Sequence, residues 1–310
     1  MPDHTMSDHT MSDHIVIHDP RFRNLMVPDA PLERIHSGML WAEGPVYFPH
    51  GDYFLWSDIP NNQVLQWIRG CGVRLYDSDA NNSNGHTRDR EGRLISCEHL
   101  TRRVTRTEHD GSLTVIADSH GGKRLNSPND AVVKSDGSIW FTDPSYGIIS
   151  DYEGKIAAQE QDGCHVFCVD PDSGETRIVA DDFVKPNGLA FSPDESVLYI
   201  ADSGRSHDAE APHHIRAFAC HGETLSGGDV LIDIEQGVPD GLRIDVGGNI
   251  WTSSAIGVEC FDSGGAPLGA ILVPETVANL SFGGRDGRQM VITATTSVYA
   301  ISVATTGAGS

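Results

Sequence analysis

The sequence predicts an all-β fold, a six-bladed β-propeller. Three observations lead there: a hairpin pattern that recurs six times, a recurrence interval typical of one propeller blade, and a polar residue at the same place in every copy. The copies read EGPVYFPHGDYFLWSD from Glu43, NGHTRDREGRLISCE from Asn84 and NDAVVKSDGSIWFTD from Asn129. The other three read NGLAFSPDESVLYIAD from Asn187, DGLRIDVGGNIWTSS from Asp240 and NLSFGGRDGRQMVITA from Asn279. Each is a pair of β-like runs joined by a tight turn, such as Ser135-Asp136-Gly137 or Val246-Gly247-Gly248. Intervals between copies run from 39 to 58 residues and average 47.

One hairpin-centred blade cannot cover both of its sheet faces, so the six copies must stack around a common axis as one domain over 20–310. The final β-like run, Ser297 to Val303, is placed to close the ring against a strand from the N-terminal side. Residues 1–19 are expected to be a disordered tail. They carry the repeats PDHT, MSDHT and MSDHI, with His4, His9 and His14 spaced by five, and no apolar periodicity that would fold them.

Gly 33 and Pro 16 suit a chain of many turns, and 310 residues suffice for a core without staples. The net charge of −22, from 22 Lys+Arg against 44 Asp+Glu, opposes nucleic acid and anionic membranes as partners and is compatible with a cation. Six cysteines are scattered, and only Cys164 and Cys168 are close, so they read as reduced thiols in strands rather than as a disulfide scaffold or zinc site. With no apolar run of transmembrane length and no signal-type N-terminus, a cytoplasmic location is expected.

The equivalent polar residues are Glu43, Asn84, Asn129, Asn187, Asp240 and Asn279. If the first strand of each copy lines the channel, these six side chains converge on the axis. Carboxylate and amide oxygens are hard ligands suited to Ca²⁺, Mg²⁺ or Mn²⁺, and two close carboxylates repel until a cation joins them. Without Cys or His, the ring does not suit tetrahedral zinc.

The segments AEGPV (42–46), NSPNDAV (126–132), FTDPSYG (141–147), KPNGLAFSPD (185–194) and PDGLRID (239–245) resemble the senescence-marker-protein/gluconolactonase family, also called regucalcin-like. CEH at 97–99 and the DPSYG turn place the resemblance nearest its bacterial gluconolactonase branch. The resemblance implies a six-bladed propeller that hydrolyses sugar lactones at one divalent cation. Ca²⁺ comes first, with Mg²⁺, Mn²⁺ or Zn²⁺ as alternatives. It implies metal ligands at Glu43, Asn129, Asn187 and Asp240, with Asn84 and Asn279 lining the channel. Animal members carry an Arg where this chain has Ser127, a place that Arg124 would have to fill, and Asp130 matches a position near substrate.

On this reading the cation polarises the lactone carbonyl and Asp240 deprotonates the attacking water. Asn126, Asp130 and Tyr146 are the candidates for substrate hydroxyls, together with Asn84 and His99, while Glu98 is a weaker one. The expected partner is a small sugar lactone, with the chain a monomer or homodimer. Two alternatives stand beside this: hydrolysis of other lactones or organophosphate esters at the same site, and a non-enzymatic propeller with a structural cation.

Overall fold

Inward-facing polar positions dictate how each blade begins, and the strands follow. The computed structural model describes residues 12–309 and forms six four-stranded antiparallel blades, one of which gains a fifth strand. Blade 1 comprises Ala42–Phe48, Tyr53–Asp58, Gln63–Ile68 and Gly72–Asp77; blade 2 comprises Ser83–Arg88, Leu94–Glu98, Arg103–Thr107 and Leu113–Ala117. Blade 3 is Ala131–Val133, Ile139–Asp143, Cys164–Val169 and Thr176–Phe183, and blade 4 is Pro186–Phe191, Val197–Asp202, His214–His221 and Thr224–Asp233. Blade 5 holds Leu242–Ile244, Ile250–Ser253, Gly257–Phe261 and Pro267–Leu272; blade 6 holds Val277–Gly283, Gln289–Ala294 and Ser297–Ser302. Blade 6 takes its outer strand, Glu33–Ser37, from the N-terminal side, pairing Ser37 with Ser297. That closes the ring as the sequence predicts.

The first strand of each copy is innermost, and these six strands neighbour one another around the axis. The core is correspondingly divided into six apolar layers, one per interface between blades. Trp56 packs between blades 1 and 6, Phe141 between 2 and 3, Trp140 between 3 and 4, and Trp251 between 5 and 6; all four side chains are fully buried. Burial of these aromatic side chains adds to the cohesion between blades.

The tail boundary expected at residue 19 is corrected. Ile15–Ile17 adds to the outer edge of blade 5, with Val16 opposite Ala270, and a 3₁₀ turn follows at Pro20–Leu25. Phe22 inserts beneath it against Trp251 at 5.6 Å. A lone strand with a short apolar run gives no periodic signal; it folds because a sheet edge is waiting for it. The rest of the tail, with His4 and His9, lies outside the described residues. Cysteines 97, 164, 168, 220 and 260 are buried in strands as thiols, whereas Cys71 is exposed in a turn. Among the described residues no helix is long and apolar enough to cross a membrane.

Candidate functional site

The dipeptides EG, NG, NG and DG that open four of the copies have a steric reason. A Cβ on Gly44 would lie 2.1 Å from the Asn84 carbonyl oxygen, and one on Gly85 would lie 2.3 Å from that of Asn129. At Gly188 the Asp240 carbonyl would be 2.3 Å away, and at Gly241 the Asn279 side chain 2.0 Å. Each glycine therefore lets the polar residue of the next blade come against the backbone. Gly85 N donates to Asn129 O at 2.7 Å and Gly188 N to Asp240 O at 2.9 Å, tying successive blades together. β-Bulges at Glu43, Ser83, Pro186 and Val277 interrupt the inner strands at this level and re-aim side chains.

The aspartates closing several copies have a related purpose. Asp58 accepts from Leu40 N and Trp41 N, Asp143 from Asn126 N and Ser127 N, and Asp202 from Val184 N and Lys185 N. In each case a carboxylate at the end of the second strand holds the segment leading into the inner strand, so the polar residue is presented from a fixed backbone.

The ring itself is drawn together by its side chains. Asn279 Nδ2 donates to Glu43 Oε2 at 3.1 Å, and the Gly44 N–H donates to the same oxygen at 2.6 Å. Asn187 hydrogen-bonds Asp240, whose own N–H donates to Ser253 Oγ at 2.8 Å. Asn84 Nδ2 meets His99 Nε2 at 3.3 Å, and the Asn129 carboxamide has no hydrogen-bond partner among the described residues. Glu43, Asn84, Asn129, Asn187 and Asn279 are buried, while Asp240 keeps some contact with solvent at the channel mouth.

Among the described residues neither Glu43 nor Asp240 pairs with a cationic side chain, so the site is anionic. Burial, and then the charge of Asp130, pushes the Glu43 carboxyl up to about 8. Burial and the Glu43 charge push Asp240 well above the carboxylate range. Glu153, on the long connection between the second and third strands of blade 3, is pushed up to about 7 by burial and adds its field to both. Only oxygen donors meet here, and a hard divalent cation would relieve the repulsion among them. Among the described residues no three His, Cys, Asp or Glu side chains meet as a metal cluster. The expected ligand set has only two carboxylates, and the carboxamides of Asn129 and Asn187 complete it.

Other expected residues fall into place unevenly. Tyr146 stands beside Asp240, its hydroxyl 3.0 Å from Ser206 Oγ, and burial raises its pKa. His99 is fully buried, pushed down to about 4, and so neutral; its Nδ1 lies 3.1 Å from the Glu153 carbonyl. Nδ1 must therefore carry the proton, and Nε2 accepts from Asn84. His99 positions Asn84.

Four other residues that the sequence singles out are engaged by the protein's own groups. Asn126 is fully buried; its Nδ2 donates to the carbonyls of Asp143 and Gly163, while its Oδ1 has no hydrogen-bond partner among the described residues. Asp130 is 1% exposed, and its Oδ2 lies 3.3 Å from Arg243 Nη1 and 3.4 Å from Asn279 Nδ2, which places it as a strut behind the ring. Glu98 is held by Arg103, Thr101 and Thr105 inside blade 2. Arg124 does not fill the place left by Ser127: it is exposed and donates to the Thr101 carbonyl at 2.8 Å.

Two residues at the mouth escaped the repeat pattern. Glu153 lies outside the copies, and its only sequence signal is the length of the 144–163 connection. Lys185 sits two residues before Asn187, with Nζ hydrogen-bonded to Ser145 Oγ and 5.2 Å from the Tyr146 ring. Burial lowers its pKa.

Fold and ring together define the class of protein: a six-bladed propeller with a ring of oxygen donors on its channel axis. The particular family follows from the sequence match. Residues 41–296 match the SMP-30/gluconolactonase/LRE-like region, and the chain belongs to that family. It is 30% identical over 313 residues to a gluconolactonase of Zymomonas mobilis, covering 93% of this chain and 85% of that one. A pentonolactonase of Haloferax volcanii is 25% identical, with coverages of 81% and 80%. The solved structure of a gluconolactonase from Xanthomonas campestris superposes with a TM-score of 0.87 at 34% identity, covering 94% of this chain and 95% of that one. A calcium-binding regucalcin from Agrobacterium tumefaciens shares the fold at a TM-score of 0.72 and 17% identity, covering 88% and 95%.

Proposed function

We propose that this chain hydrolyses sugar lactones to aldonic acids, as a lactonase of gluconolactonase type. The observation that carries the reading is the meeting of Glu43 and Asp240 with carboxamides on the axis, in a family whose relatives include a gluconolactonase and a pentonolactonase. Glu43, Asn129, Asn187 and Asp240 would hold a divalent cation, Ca²⁺ first, which supplies Lewis acidity toward the ester carbonyl when bound.

Asp240 is the base. Its buried position and the Glu43 charge raise its proton affinity, so the carboxylate, once free of its proton, draws strongly on a water beside it. The water oxygen adds to the lactone carbonyl carbon as its proton passes to Asp240. The ring C–O bond then breaks, and Asp240 returns the proton to the departing ring oxygen. Tyr146 and Lys185 form one wall at the mouth and Glu153 another, offering donors and an acceptor to the ring hydroxyls. Asn84, oriented by His99, presents its amide oxygen inward.

Turnover of gluconolactone, galactonolactone and xylonolactone, before and after chelation and metal add-back, tests this. Hydrolysis that is lost on chelation and restored by a divalent cation is expected. Hydrolysis indifferent to chelation sinks the metal role, and no turnover of any lactone sinks the reading.

A further inference from the structure

The channel has a second end. The inner strands start at the ring and run away from it, and their far ends enclose a cavity of about 330 Å³. All six blades contribute, through residues such as Tyr47, Arg88, Val133, Phe191, Arg243 and Phe282. The Asp130–Arg243 pair stands between this cavity and the ring, because Asp130 touches Asn279 on one side and Arg243 on the other.

The charges around the cavity do not balance. Asp89 is committed to Arg93 at 2.6 Å, and Glu195 to Arg90 at 3.3 Å and to Ser135. Arg243 spends Nη1 on Asp130 and the Leu242 carbonyl. His86 is held between Ser57 and Ser96 and is neutral, since burial pushes it down to about 4. Arg88 remains. It is half-buried, its side chain has no hydrogen bond or ion pair with any described residue, and its charged neighbour is another cation, Arg90. In a chain with 44 acidic residues against 22 basic ones, a carboxylate partner for a half-buried guanidinium would be easy to supply, yet among the described residues none pairs with it. A desolvated guanidinium without a counter-ion is costly, and its planar fork matches an oxyanion.

We propose that this far cavity binds a small oxyanion, a phosphate or the carboxylate of a sugar acid, on the Arg88 guanidinium. The site is separate from the ring and does not depend on the lactonase reading. Bound there, the anion joins residues of several blades at the far end of the channel, so it tightens the ring and raises thermal stability.

Calorimetric titration of the full-length chain with inorganic phosphate, and separately with gluconate, tests the proposal. We expect one site for at least one of the two, weakened roughly tenfold or more by Arg88→Gln, weakened less by Arg88→Lys, and weaker at high salt. Asp240→Asn should leave it unchanged, and Arg88→Gln should leave lactone hydrolysis unchanged. Binding of phosphate alone would assign the site to phosphate chemistry, and binding of gluconate alone to a sugar acid. Absence of both at millimolar concentration overturns the proposal, as does binding that survives Arg88→Gln in a folded protein. Binding abolished by Asp240→Asn, which would put the anion at the ring, overturns it as well.

Discussion

Glu43→Gln should stabilise the metal-free protein at neutral pH, although it removes a ligand. The Glu43 carboxyl is raised from 4.5 to about 8, so the folded chain keeps a proton that the unfolded chain releases above pH 4.5. Stability contributed by this group therefore falls as pH climbs from 4.5 to about 8 and then levels off. At about 1.36 kcal/mol per pH unit, wild type has lost on the order of 3 kcal/mol at pH 7. Glutamine keeps the shape and can still accept from Gly44 N, but it has no proton to lose. Thermal melts of both proteins stripped of metal should agree near pH 4.5 and diverge by roughly 5 °C at pH 7, the variant being the more stable. Saturating Ca²⁺ should reverse the order, because wild type then gains more binding free energy. Parallel pH curves for the two metal-free proteins would refute the argument that Glu43 is strained by burial and by neighbouring charge.

At saturating metal, Asp240→Asn should cut kcat by roughly 100-fold or more, while Glu43→Gln keeps much more activity; equal residual rates would make Asp240 a ligand only, and the base would lie elsewhere. Lys185→Met should raise KM for a polyhydroxylated lactone by about tenfold, one lost charge-assisted hydrogen bond, with kcat within a fewfold; an unchanged KM removes Lys185 from the wall of the site. Phe22→Ala should cost about 3–5 kcal/mol in urea unfolding, as for other buried aromatics, and a change under 1 kcal/mol would mean that the N-terminal turn is only loosely held against blade 5.

The blade count and the closing strand were legible in the amino-acid order, because a propeller repeats one local solution. Alternating apolar residues around a turn specify a hairpin wherever they occur, and six of them at blade-like intervals leave little choice of fold. The same repetition gives Glu43, Asn84, Asn129, Asn187, Asp240 and Asn279 equivalent places in their blades. Glycine after four of them was visible too, but its reason was not: only neighbouring blades show that a Cβ at Gly241 would collide with Asn279.

What tertiary structure alone decided lies outside the repeat or across it. Ile15–Ile17 becomes a strand because the edge of blade 5 offers unpaired backbone groups, not because three residues carry a pattern. The motif that holds Asn126 and Asp130 is visible in the sequence, but only the folded chain shows Asp130 against Arg243 and Asn126 donating to the Asp143 carbonyl. Glu153 and Lys185 reach the mouth from segments distant in sequence, and the raised carboxyls of Glu43 and Asp240 exist only because folding removes them from water and sets them in each other's field. Local periodicity is written along the chain. Proximity between blades, and the desolvation that comes with it, arises only when the ring closes.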